Sequence, residues 1–183
     1  MFILFPLFTS VVVRAFAWMA LLGRNGVVNQ YLVWLGLTEA PLRLLYTEPA
    51  VVVGITYVLL PIMVLTIFST MRGIDSNLIR AAHSLGAGRA YAFARIFLPM
   101  SLSGVAAGIL LVFIMALGYF ITPALMGGPS DVMIAMLIQR QIEVTNDWPF
   151  ASALAIALLA LTTAGFILCN RFVRLDRVFA VKA

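Results

Sequence analysis

The sequence has few charges, one cysteine and one histidine, and these shortages exclude several classes of protein. Only 10% of its 183 residues are charged, whereas 63% are hydrophobic, and its mean hydropathy is +1.09. Soluble domains carry about 25% charged residues, so a water-soluble fold is excluded. Cys169 alone forms no disulfide framework, and His83 alone forms no multi-histidine metal site. We therefore expect lipid to be part of the protein's solvent and no metal to be bound.

The sequence also lacks a glycine-rich phosphate loop that ends in Lys and Ser or Thr. We therefore expect no ATP hydrolysis and no cofactor in this chain. Its net charge is +5, which in a soluble protein would suggest a nucleic-acid partner. Here the basic residues flank apolar runs, a placement typical of membrane orientation signals, so we expect no nucleic-acid binding.

Four continuous apolar runs are long enough to be membrane-spanning helices. A helix needs about 20 residues to cross a hydrocarbon layer about 30 Å thick. Strands of a membrane barrel would instead alternate apolar and polar residues, and these runs do not. We predict an all-α membrane protein, with one domain over residues 1–183 and spans at about Phe2–Leu22, Ala50–Met71, Ser101–Met126 and Pro149–Phe172.

The connections between these spans predict the orientation, because cytoplasmic loops carry an excess of Lys and Arg. Residues 72–100 and the C-terminal segment are rich in basic residues, and the other two connections are diluted by five acidic ones. We therefore place residues 72–100 and both termini in the cytoplasm. The basic residues that decide this are Arg72, Arg80, Arg89, Arg95, Arg171, Arg174, Arg177 and Lys182.

Residues Ser76–Pro99, which we call the elbow, form a pattern unusual for a solvated loop. A short helix is predicted to begin after Asp75 or Ser76 and to end at glycines. A second helix, Arg89–Phe97, is predicted to end where Pro99 breaks the run before the third span. Small and apolar side chains along the elbow would let another surface approach closely. The alternative is an amphipathic segment that lies on lipid headgroups.

The elbow resembles the EAA loop of the permeases of ATP-binding-cassette (ABC) importers. The matching pattern is Ala81-Ala82, then Gly86 after three residues, then Ile96-Phe97-Leu98-Pro99 after nine more. In that family the loop docks into a cleft on a cytoplasmic ATPase and transmits its closure to the membrane helices. Arg80 stands where the family has glutamate, so an ion pair of that carboxylate is not carried over. The resemblance assigns ATPase coupling to Leu78, Ile79, Arg80, Ala81, Ala82, Leu85, Gly86, Ala87, Ile96, Leu98 and Pro99.

Segments outside the elbow resemble the spermidine/putrescine-type permeases of the same importers. The matching segments are Pro6–Leu22, which includes Val13–Trp18, then Leu42–Thr47, Gly127–Pro129 with Met133-Ile134, and Asp147–Ala153. That family has six spans, so the resemblance implies a type I importer fold of which this chain holds spans three to six. The apolar start of the sequence, with no polar lead, also suggests that the first two helices are missing.

The same resemblance implies the partners and the cargo. It predicts a cytoplasmic ATPase dimer that holds ATP and magnesium, a second permease subunit, and a periplasmic solute-binding protein that docks around Gly23–Pro49 and Gly127–Trp148. The cargo would be a polyamine or a related organic amine, moved by alternating access. Two alternatives remain: a permease for another solute, and a self-contained four-helix membrane protein. A membrane enzyme would have to rely on His83 and Asp75, its only catalytic candidates.

Four residues are candidates for the translocation path. Arg14 lies near the middle of the first span, where a charge costs about 2.5 kcal/mol or more, so it should face a cavity or a partner helix. Tyr119, Phe120 and Thr122 lie where Gly118 and Pro123 are predicted to break the third span, and aromatic faces attract ammonium groups. The alternatives are pairing of Arg14 with backbone carbonyls and an interfacial aromatic belt.

Overall fold

The computed structural model describes residues 5–173, with side chains for residues 6–168, and that part of the chain is helical. Four segments are long and apolar enough to cross a membrane: Val11–Trp34, Glu48–Arg72, Arg89–Leu117 and Trp148–Leu168. The predicted all-α class with four spans is confirmed. The helices are α1 (Phe5–Phe8), α2 (Val11–Leu22), α3 (Val27–Trp34), α4 (Glu48–Arg72), α5 (Ser76–Ser84), α6 (Arg89–Ala92), α7 (Leu98–Leu117), α8 (Ile121–Met126), α9 (Ile134–Glu143) and α10 (Trp148–Val173).

The second and fourth spans were predicted almost to the residue. Both are continuous helices, of 25 residues in α4 and 26 in α10. At 1.5 Å per residue each is about 38 Å long, which exceeds the hydrocarbon thickness. Pro49 and Pro149 are each the second residue of their helix, where a missing N–H costs no intrahelical hydrogen bond. Pro61 lies inside α4, and the helix continues through it.

The first predicted span is wrong as a single helix. The chain leaves the helical conformation at Thr9 and Ser10, so α1 and α2 are separate. After α2 a tight turn leads into α3, and a Cβ atom on Gly26 would collide with the carbonyl oxygen of Leu21. The prediction for residues 2–4 falls outside the described residues.

The third span begins earlier and ends earlier than predicted. The prediction that Pro99 separates the elbow from this span is wrong, because helical structure runs unbroken from Arg89 to Leu117. A π-helical turn at Phe93–Phe97 joins α6 to α7, with the Leu98 N–H bonded to the Phe93 carbonyl. The wider turn accommodates a proline near the start of α7. The predicted break at Gly118–Phe120 is confirmed, and α8 follows it.

The chain divides into two compact units, the first made of Met1–Pro61 and Met115–Leu159. In this unit α2 packs against α3 and α8. Leu22, Ala50 and Met126 form a buried cluster, and the Trp18 and Tyr57 rings meet edge to face at 5.5 Å. Sequence reasoning missed α3 and α9, which lie in connections too polar to be read as spans.

The second unit is made of Ile62–Ile114 and Ala160–Ala183, and it contains the elbow. Here α7 lies against α4 at two glycines. A Cβ on Gly104 would lie 2.5 Å from Thr70 Cβ, and one on Gly108 would lie 2.6 Å from the Met63 sulfur. The glycine pair therefore serves packing within this chain. Cys169, Arg171, Arg174, Arg177 and Lys182 have no described side chains, so the predictions made for them lie outside the described residues.

Candidate functional site

The first helix of the elbow is fixed at its start by Asp75. The Asp75 carboxylate accepts a hydrogen bond from the Asn77 N–H at 2.9 Å, which satisfies one of the unpaired donors of the first turn. Of the two N-cap candidates, the structure therefore selects Asp75 over Ser76. The helix α5 begins at Ser76 as a result.

A left-handed glycine ends this helix. Gly86 has φ +86°, a conformation that glycine adopts without steric cost. The Ala87 N–H donates to the Ala82 carbonyl and the Gly86 N–H donates to the His83 carbonyl, each at 3.0 Å. This is the hydrogen-bond pattern of a Schellman motif. The turn of the elbow is therefore held by the backbone itself.

The two catalytic candidates named from the sequence, Asp75 and His83, are both used structurally. Asp75 caps the start of α5, and a ring nitrogen of His83, Nδ1, lies 2.9 Å from the Ala87 carbonyl oxygen beyond its end. The two residues are about 12 Å apart along the helix axis at 1.5 Å per residue. The geometry does not bring them together as an active site.

A shallow apolar groove of about 640 Å³ runs along the elbow. Ala82 forms part of its floor and is 8% exposed, whereas Leu85 stands at its rim and is 89% exposed. Sequence reasoning missed Gly88 and Tyr91, which complete the wall. The predicted coupling residues that line this groove are Leu78, Ala81, Ala82, Leu85, Gly86, Ala87 and Ile96.

The remaining predicted coupling residues lie outside this groove. Pro99 lines a second groove of about 850 Å³ in the same unit, beside Arg95 and Ser69. Arg80 is exposed on α5, and Ile79 and Leu98 line neither groove. The structure thus collects seven of the eleven predicted residues on one surface.

The candidate path residues come together in the first unit, where α2 packs on α8. Thr122 is 3% exposed and Arg14 is 8% exposed. Arg14 and Thr122 are the polar residues that interact electrostatically with the Tyr119 phenol. Phe120 is half-buried beside them in the chain. The structure therefore brings Arg14, Tyr119 and Thr122 to one place.

Arg14 has unsatisfied hydrogen-bond donors. Its Nε and Nη1 atoms are buried and have no hydrogen-bond partner among the described residues. The expected alternative, in which backbone carbonyls accept from these donors, is therefore not seen in this part of the chain. Leaving a buried charged donor unpaired costs about 1–3 kcal/mol or more.

The connection between α2 and α4 is held together by a buried asparagine that sequence reasoning missed. Asn29 is 1% exposed, and its side-chain amide donates to the carbonyls of Gly23 and Leu42 at 3.0 and 2.9 Å. Its Oδ1 accepts from the Leu42 N–H at 2.9 Å. Asn29 thus ties the end of α2 to the segment before α4.

Two of the segments that carry the sequence resemblance meet in this region. The Tyr46 N–H donates to the Met126 carbonyl at 3.1 Å. A Cβ on Gly128 would lie 2.7 Å from the Tyr46 carbonyl oxygen, so only glycine fits there without movement. The Gly128 N–H is bound in turn by the Asp131 carboxylate at 2.8 Å.

Comparison with known proteins decides the family. Residues 1–175 match the binding-protein-dependent transport system inner membrane component family. The chain belongs to this family. The family resemblance drawn from the sequence is therefore confirmed. Within the described residues, no cluster of His, Cys, Asp or Glu could hold a metal ion.

Curated members of this family include close relatives of the chain. It is 37% identical over 153 residues to the spermidine/putrescine transport system permease protein PotB of Escherichia coli K12, covering 84% of this chain and 56% of the relative. It is 36% identical over 159 residues to PotB of Haemophilus influenzae, covering 87% and 56%. The chain thus spans a little over half the length of these permeases.

Solved structures of family-like permeases share the fold. A bacterial ABC transporter involved in import of the acidic polysaccharide alginate superposes with a TM-score of 0.75 at 22% identity, over 94% of this chain and 63% of the other. The same kind of transporter in complex with an alginate pentasaccharide-bound periplasmic protein gives 0.76 at 21% identity, over 97% and 64%. These likenesses confirm the type I importer permease fold.

Proposed function

We propose that this chain is the permease subunit of an ABC importer and that the elbow is where a cytoplasmic ATPase dimer docks. The observation that carries this is the groove along α5 and α6, with Leu85 projecting at its rim. Leu85 is 89% exposed. Burial of such an apolar side chain against a partner removes its surface from water and lowers the free energy. ATP and magnesium would be held by the ATPase.

The elbow is suited to transmit force because its turn is preorganised. The two backbone hydrogen bonds at Gly86 hold the groove in one shape before a partner arrives, which lowers the entropy cost of docking. Helical structure then continues from Arg89 into α7. Closure of the ATPase dimer would therefore move α7 and drive alternating access.

The charge of the elbow defines the chemistry of its partner. Arg80, Arg89 and Arg95 are exposed on it, and the one carboxylate nearby, Asp75, is used as a helix cap. Since Arg80 replaces a glutamate in the family pattern, we propose an acidic rim on the ATPase cleft opposite this helix. Charge complementarity of this kind raises association rates and excludes wrong partners.

We propose a small organic amine as the cargo, of the spermidine/putrescine type that the PotB relatives carry in their names. The aromatic faces of Tyr119 and Phe120 supply cation–π contacts for an ammonium group. A second permease would complete the path, and a periplasmic binding protein would dock around residues 23–49 and 127–148. The C-terminus would face the cytoplasm.

Co-purification of the tagged chain with its ATPase from native membranes tests this function. We expect the wild type to retain the ATPase, and Gly86→Asp and Leu85→Asp to lose it, because each introduces a charge at the apolar groove. Gly36→Asp is a matched control, since Gly36 and Gly86 both have positive φ and open space around them. A wild-type chain that captures no ATPase, at normal membrane insertion, would instead indicate a self-contained membrane protein.

A further inference from the structure

Arg14 is the one charged side chain that is buried among the described residues of the first unit. It is 8% exposed, and its Nε and Nη1 atoms lack acceptors among the described residues. Nε carries one N–H and Nη1 carries two, so three donors await a partner. The described spans contain no carboxylate except Glu48, at the first residue of α4.

The surroundings of Arg14 point to a negatively charged partner. Tyr119, on which the charge of Arg14 acts, is a neutral hydroxyl residue and leaves the positive charge of the guanidinium uncompensated. Inside a membrane protein such a charge is normally paired, because the low dielectric makes an isolated cation costly. A carboxylate has both the oxygen acceptors and the charge that the guanidinium needs.

We propose that Arg14 is a binding point for a carboxylate that comes from outside the described chain. This rests on the proposed importer function, and it replaces the polyamine proposed above as cargo in the case where the cargo itself brings the carboxylate. The carboxylate has two sources in an importer: the cargo itself, or an acidic side chain on another membrane helix of the assembly. The cargo source makes the substrate an amino acid with separated charges, whose ammonium meets Tyr119 and Phe120 while its carboxylate meets Arg14.

Two four-carbon probes separate a carboxylated cargo from a polyamine. Putrescine has an ammonium group at both ends, and 4-aminobutyrate has a carboxylate at one of them. Binding of each probe is measured by thermal denaturation of the purified importer assembly in detergent, without the periplasmic protein. The variants are Arg14→Gln, Arg14→Lys, and Arg24→Gln as an exposed arginine control from the same unit.

If the cargo supplies the carboxylate, 4-aminobutyrate stabilises the wild type and Arg24→Gln. Its affinity for Arg14→Gln is then weaker by about thirtyfold or more, as expected when one partner of a buried charge pair is removed. Arg14→Lys recovers part of the affinity because it restores the charge.

If another helix supplies the carboxylate, the binding affinity of neither probe depends on Arg14. Arg14→Gln then loses the second permease during purification, whereas Arg14→Lys and Arg24→Gln keep it. The proposal is overturned if Arg14→Gln binds both probes as the wild type does and also keeps the second permease. It is overturned in the same way if Arg14→Gln only loses thermal stability while probe binding and permease retention stay unchanged. Retention of the ATPase by all variants shows that the importer function stands independently of this outcome.

Discussion

Gly104 and Gly108 lie one helical turn apart on α7. The side-chain atoms that face them on α4 differ in how easily they can move aside. A Cβ at Gly104 meets the Thr70 Cβ, which is attached directly to the α4 backbone. A Cβ at Gly108 meets the flexible end of the Met63 side chain. Close approach of membrane helices at glycine is a source of packing energy, since lipid offers no hydrophobic drive for association.

We expect Gly104→Ala to destabilise the protein more than Gly108→Ala. Overpacking against a fixed neighbour costs about 1–3 kcal/mol, whereas Met63 can change rotamer at little cost. Thermal unfolding in detergent measures the difference. Met63→Ala should restore the stability of Gly108→Ala, and a Gly104→Ala variant as stable as the wild type would contradict the close contact.

At the residue scale, sequence reasoning predicted that Arg14 is buried or partnered, but it did not predict which of its atoms lack partners. The continuous apolar context of Arg14 was enough to mark it as buried or partnered. That two of its nitrogens lack acceptors depends on how α2 meets α8, which no local pattern encodes. Asn29 was missed for a similar reason, because its partners lie up to 13 residues away.

At the scale of helices, the bounds were predicted well wherever one physical signal in the sequence dominates. The helices α4 and α10 were predicted within two residues at each end, because long apolar runs admit only helix in a bilayer. The break at Gly118–Phe120 followed from glycine and a nearby proline. Pro99 misled because proline usually ends a helix, and a π-helical turn that tolerates it has no simple sequence signature.

The connection between α2 and α4 supplies a prediction at this scale. We expect Asn29→Ala to loosen the segment from α2 to α4, since it removes three hydrogen bonds and leaves backbone groups unpaired. The expected cost is about 1–3 kcal/mol, measured by thermal unfolding and by protease cleavage of residues 35–47 in intact spheroplasts. Asn25→Ala is the control, because Asn25 is exposed; equal cleavage of the two variants would contradict the role of Asn29.

At the scale of the whole molecule, the orientation of the chain in the membrane has a simple test. The basic residues of the elbow predict a cytoplasmic position for it by the positive-inside rule. In a Cys169→Ser background we expect a membrane-impermeant maleimide, added to intact spheroplasts, to label Thr145→Cys and to spare Ser84→Cys. Both positions are exposed hydroxyl residues. Disruption of the membrane should make Ser84→Cys reactive, and labelling before disruption would reverse the predicted topology.

The unbroken helical run that begins at Arg89 has a mechanical consequence. It contains 29 residues, about 44 Å at 1.5 Å per residue, and no coil interrupts it. A non-helical linker would absorb a displacement of the elbow by bending. A continuous helix instead turns that displacement into tilt or rotation of the whole helix. In the importer proposed above, where an ATPase moves the elbow, the π-helical turn at Phe93–Phe97 would be the point at which this helical run bends most easily, and its stiffness would set how much of that displacement reaches the membrane-spanning part.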